Sequence, residues 1–228
     1  MKIIIRFFYS IIVMVIITNT CSKAQNKTQV EKNSISIANK SMSSSAVNLK
    51  AAIRQLWVEH ATRTRNVIIC LVDDAPGTEK AIAMLLKNQE DIGNALKPYY
   101  GEAEAKKIID LLNQHIKTFV EVVKAAKVEN TVALNDANKR WYDNADEIAK
   151  FFNKVNTNWK LADMKLMMHT HLKLTTDEAV ARIKKDYNAD AKAYDAVHIE
   201  ILKMADMISE GIGMQFPEKN KNNSTAEM

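Results

Sequence analysis

The stretch Leu111-Leu112-Asn113-Gln114-His115-Ile116 returns 56 residues later as Met167-Met168-His169-Thr170-His171-Leu172. At the same interval Asn88-Gln89-Glu90-Asp91-Ile92 returns as Asn144-Ala145-Asp146-Glu147-Ile148. A weaker third copy pairs Leu56-Trp57-Val58-Glu59-His60-Ala61 with the first motif and Met204-Ala205-Asp206-Met207-Ile208 with the second. In every copy the apolar residues recur with the 3.6-residue period of a helix. The chain therefore reads as an all-α, up-and-down helical bundle of about six helices built from three similar hairpins.

The periodicity predicts helices at about 49–73, 78–97, 102–126, 131–155, 159–186 and 189–214. Turn formers and caps fall between them: Asp74-Ala75-Pro76-Gly77 before Thr78, Lys97-Pro98 through Gly101, Glu129-Asn130, Asn156 to Asn158, and Asn188. With only 5 Gly and 3 Pro, the chain is too poor in turn formers for a many-stranded sandwich or barrel.

The net charge of +5 invites a nucleic-acid partner, but its distribution excludes one. Residues 1–50 hold seven basic side chains against Glu31 alone, whereas residues 51–214 hold 23 basic and 24 acidic ones. The excess belongs to the N-terminal segment, which reads as a signal peptide over 1–24. Lys2 and Arg6 precede the apolar run Phe7 to Ile17, which is too short to span a bilayer, and Ser22 and Ala24 suit cleavage after Ala24. The rival is a lipid anchor at Cys21. Either way the protein is expected to be exported to the periplasm, cell envelope or exterior. Residues 25–48 and 217–228 are polar and read as a disordered linker and tail, leaving 49–216 as the bundle. Cys70, in the apolar run Val67 to Val72, reads as a buried small hydrophobe.

Helical-wheel counting places three imidazoles inward. His115 lies about 60° from the centre of the face formed by Ile108, Leu112, Phe119 and Val123, and His60 and His171 sit equivalently. Their heights match those of Asn88, Gln89 and Asn144 on the neighbouring helices. A buried polar layer is expected at mid-height, and it has two readings. One is a satisfied network in which each imidazole meets an amide. The other is convergence of His60, His115 and His171 on a transition metal such as zinc or copper, with Asn88, Gln89 and Asn144 behind them. A di-iron carboxylate site is excluded: Asp91 and Asp146 point about 140–150° away from their apolar faces, and there is no Glu-x-x-His spacing. Other candidates have ordinary explanations: Met164, Met167, Met168, Met204 and Met207 as core filler, His198 as a surface partner of Asp195, Arg63 and Arg65 as partners of nearby acids, and Tyr99-Tyr100 as packing of a turn. Phosphate loops, nucleophile elbows and paired Cys-x-x-Cys motifs are absent from the sequence.

The run Asn88 to Gly101 (NQEDIGNALKPYYG), together with Trp141 to Ile148, His171 to Thr176 and Met204 to Met207, resembles a family of small, uncharacterised bacterial helical proteins over about Leu56 to Pro217. Members sometimes carry names such as glycosyltransferase or acetylglutamate kinase, whose sheet-based folds cannot be built from six helices. The resemblance implies a family pattern at His60, Asn88, Asp91, His115, Asn144, Asp146, His171 and His198. The family has a tryptophan where this chain has Arg63. The resulting expectation is an exported, non-enzymatic binding or envelope-associated protein with a small ligand or metal at the His layer. Its alternative is a metal-dependent enzyme with an open His-ligated position. Membrane attachment is expected only through the signal or Cys21.

Overall fold

The computed structural model describes residues 44–220, which are all-helical. The signal peptide, Cys21, most of the linker and the tail beyond Asn220 lie outside the described residues. Five helices follow one another: α1 Ser44–Val72, α2 Thr78–Lys127, α3 Thr131–Val155, α4 Leu161–Ile183 and α5 Tyr187–Gln215, with a 3-10 turn at Pro217–Asn220. None is long and apolar enough to cross a membrane. α1 starts at Ser44 rather than near 49, so the last residues assigned to the linker are helical.

The expectation of six helices is corrected to five, because the second and third foreseen helices run on as one 50-residue element kinked at Gly101. Pro98, Tyr99 and Tyr100 stay within α2, and only Gly101 departs, with φ 84° and ψ 175°. That conformation is open to glycine and strained for residues with a Cβ. At Gly101 the 50-residue helix folds back on itself. Thr78 at its start and Lys124 and Lys127 at its end line one depression. Gly93 lies so close to Ala105 and Ile109 that a Cβ there would sit 2.2 Å from Ile109 Cγ1.

At the opposite end the chain turns by a different device. Asp74, Glu129 and Lys185 take left-handed φ values of 52°, 55° and 58°. Just after them, the amides of Ala75, Asn130 and Asp186 reach back to the carbonyls of Cys70, Ala125 and Ala181, each at 3.0 Å. These bonds close Schellman turns and satisfy carbonyls that a helix end leaves open. Asn130 and Asp186 then cap the next helix through their side chains, accepting from Ala133 and Ala189. The three left-handed residues recur at the 55–56-residue interval of the sequence motifs.

Each helix packs on its chain neighbours, and α5 packs on α1 to close a ring; α4 also touches α1 across it. Arg54 grips Asp206 with two nitrogens, at 2.6 and 2.7 Å, sealing the α1–α5 seam. Arg182 near the end of α4 bonds Asp73 just past the end of α1, so α1 and α4 run parallel. The core is continuous, with Trp57, Ile68, Leu85, Ile108, Phe119, Trp141, Phe152, Leu172 and Ile201 all removed from water. Each such side chain contributes roughly 1.5–3 kcal/mol of transfer free energy. Met164, Met167, Met168 and Met204 are buried within the same core.

Candidate functional site

The inward wheel positions of His60, His115 and His171 place all three imidazoles in the core, each at most 4% exposed. Every one binds a partner on another helical segment. His60 on α1 meets Gln89 Nε2 at 3.2 Å, His115 on α2 meets Asn144 Oδ1 at 2.8 Å, and His171 on α4 meets Glu200 Oε2 at 3.0 Å, always through Nδ1. The partner follows its histidine by 29 residues in all three cases. Asn88 and Asn144 also donate from Nδ2 to the carbonyls of Leu56 and Leu111, one turn before His60 and His115.

For His115 these bonds fix where the imidazole proton sits. Asn144 gives its nitrogen to Leu111, so it presents oxygen to His115, whose Nδ1–H donates. His115 Nε2 accepts from Trp141 Nε1 at 3.0 Å, and both ring nitrogens are used. Gln89 Nε2 is a donor with two hydrogens and three groups in reach, Leu85 O, Asn88 Oδ1 and His60 Nδ1. His171 donates from Nδ1 to the Glu200 carboxylate. Burial, with the nearby His171 adding to it, pushes His115 down to about 3; burial, then His171 and His115, holds His60 well below its usual value. Both are neutral rings.

His60, His115 and His171, the candidate zinc or copper ligands, all lie in the core. No group of three or more His, Cys, Asp or Glu side chains among the described residues is arranged to hold a metal ion. The structure instead brings His60 and His171 together, their ring centroids 5.6 Å apart. His115 is stacked apart, against Trp141 at 5.4 Å.

Three buried carboxylates escape the sequence reading: Glu178, Asp190 and Glu200. The register of the third copy hid Glu200. Matching Met204–Ile208 to Asn144–Ile148 slips α5 by one turn, which preserves the face but misplaces the partner; the 29-residue offset from His171 points to Glu200. Glu178 follows His171 by seven residues and so shares its face. Arg65 Nη1 bonds Glu178 at 2.7 Å and Asp190 at 2.8 Å, with its guanidinium 4.6 Å from the Tyr194 ring centroid. Burial pushes the Glu178 carboxyl up to about 7 against the pull of Arg65.

The remaining candidates scatter. His198 is half-buried, 6.3 Å from the Tyr194 ring and outside the layer. Arg63 pairs with Glu59 at 3.4 Å. Asp91 pairs with Lys87, and Asp146 bridges Lys165 and His169 on α4. Cys70 is half-buried rather than buried, because its helix turns it toward Asn66 at the bundle surface. Tyr99 and Tyr100 pack on Phe216, and Tyr100 also on Trp159.

Among the described residues five buried side-chain atoms have no hydrogen-bond partner: Thr64 Oγ1, Gln89 Oε1, Asn113 Oδ1, Thr175 Oγ1 and Arg182 Nε. Three of these adjoin the His60–His171 pair. Gln89 binds His60, while Thr64 and Thr175 each lie one turn beyond a histidine of the pair. Comparison with protein-family models, curated proteins and solved structures returns no match.

Proposed function

We propose that the protein is an exported, non-enzymatic binding protein of the cell envelope, with its ligand position at the His60–His171 end of the polar layer. One observation carries this reading: buried oxygens without partners border that pair. Interior polar atoms are normally paired, and a cluster that is not marks where a further group binds. His115, with both nitrogens engaged, serves as a structural counterpart that fixes helix register. The buried carboxylates are each tied to a guanidinium or an imidazole, which suits support rather than acid–base turnover. Export is supported by the sequence of residues 1–24.

The finer architecture belongs to the same proposal: three hairpins of one pattern, with the central turn formed by α2 folding at Gly101. Its support is the shared spacing of His60, His115 and His171, of their partners, and of the left-handed residues Asp74, Glu129 and Lys185.

The test uses the full-length chain expressed in a bacterial host and purified natively from the exported fraction. Denaturing it should release a small molecule, and adding that fraction back should raise the Tm of dialysed wild type but not of His171→Ala. Retention of the unprocessed chain in the cytoplasm overturns the export reading. No released species and no rise in Tm overturn the binding reading.

A further inference from the structure

The threonines in the interiors of the helices fall into two groups. Thr62, Thr118, Thr170 and Thr176 turn their hydroxyls back to the carbonyl four residues earlier, at 2.7–2.9 Å. That bond is the ordinary refuge of a helical threonine. Thr64 and Thr175 do not take it. Both are at most 3% exposed, and both hydroxyls are buried without a partner.

Their positions are linked. Thr64 follows His60 by four residues on α1, and Thr175 follows His171 by four on α4. The two helices are parallel, and the two rings are 5.6 Å apart. Both threonines therefore sit about 6 Å further along, toward the same end of the bundle. Glu178 is on the same face of α4 one turn beyond Thr175, and it meets Arg65 of α1. A polar column thus runs between α1 and α4, from the imidazoles through the hydroxyls to the carboxylate and the partly exposed Arg65.

Acceptors dominate its central part. Gln89 Oε1 can only accept, and either hydroxyl can accept. Resting on the binding reading above, we propose that the interior between α1 and α4, bounded by His60, His171, Thr64, Thr175 and Gln89, holds a small guest that donates hydrogen bonds. An ammonium ion and a water molecule share that chemistry.

Exchanging Thr for Val keeps the shape and removes the hydroxyl, so the sign of the stability change is diagnostic. An orphaned hydroxyl costs stability and its removal is neutral or favourable, whereas a hydroxyl that holds a guest is missed. Thr118→Val is the reference, since Thr118 is buried and bonded to its own backbone. Thr64→Val and Thr175→Val should each lower Tm by about 2–4 °C more than Thr118→Val. Ammonium chloride against sodium chloride at equal ionic strength separates the sources. A Tm rise specific to ammonium, lost in both Val variants, identifies ammonium; destabilised variants without an ammonium response identify water. Variants as stable as Thr118→Val, or more stable, overturn the proposal. A released ligand with neutral Val variants would leave the binding reading standing and sink only this inference. Water with no released species would do the reverse.

Discussion

At the scale of single residues, the imidazoles matter through what each nitrogen touches. His115 has both nitrogens bonded, and the donor to its Nε2 is the indole of Trp141. Trp141→Phe leaves a buried acceptor without a donor, which costs about 1–3 kcal/mol in addition to the lost volume. Chemical denaturation should show that loss with an unchanged m-value. His115→Ala should destabilise the bundle without affecting any ligand effect at His60 and His171, which can be read from ligand-dependent Tm shifts. Gly211 is a packing case: a Cβ there would lie 1.9 Å from Trp159 Nε1, the atom that donates to Met207 O. Gly211→Ala must therefore expel a buried tryptophan, and its far-to-near-UV circular dichroism ratio should report lost aromatic packing at retained helicity.

At the scale of elements, the fold rests on two kinds of turn. One end uses Schellman closures at Asp74, Glu129 and Lys185, and the other uses Gly101 and the Asn156–Lys160 connection. Asn156 is nearly inaccessible and donates to both Tyr100 Oη and Gly211 O, so it pins that connection to α2 and α5. Gly101→Ala should cost about 1–3 kcal/mol, because its backbone sits where a Cβ is strained even though no atom lies nearby. Urea midpoints of the two proteins measure it. The helices were legible in the sequence because their apolar residues keep one period throughout and their caps have recognisable chemistry. The inward histidines were legible for the same reason. The fold-back of α2 was foreseen as a loop because Pro98 and Gly101 usually break helices; in fact Pro98 stays in the helix and a single glycine makes the turn. Glu178, Asp190 and Glu200 were illegible by burial propensity alone, since isolated acids rarely lie inside. Only their partners on distant helices explain them.

At the scale of the whole molecule, two opposing titrations shape stability. His115 is held at about 3, below the unfolded value near 6.5, so its contribution is whole above 6.5 and is lost as pH falls toward 3. His60 acts in the same sense. Together they steepen acid destabilisation, each by about 1.4 kcal/mol per pH unit across its window. Glu178 is raised from 4.5 to about 7, so its contribution is whole below 4.5 and is lost as pH rises through 7. Denaturation midpoints should therefore peak at about pH 6–7 and level off above about 8, and Glu178→Gln should flatten the alkaline limb and steepen the acid limb where the two titrations overlap, above 4.5. The closure of the ring has a consequence for how the chain folds. Histidines meet partners only 29 residues away, but the α1–α5 seam joins Arg54 to Asp206, 152 residues apart. Hairpins form at small loop-closure cost, whereas the seam must bring together the two ends of the folding unit. That seam is held partly by exposed ion pairs of Lys50 and Arg54, which salt weakens. Opening should begin there, so amides of the first turns of α1 and the last turns of α5 exchange with solvent together, ahead of the rest, and faster as salt is added.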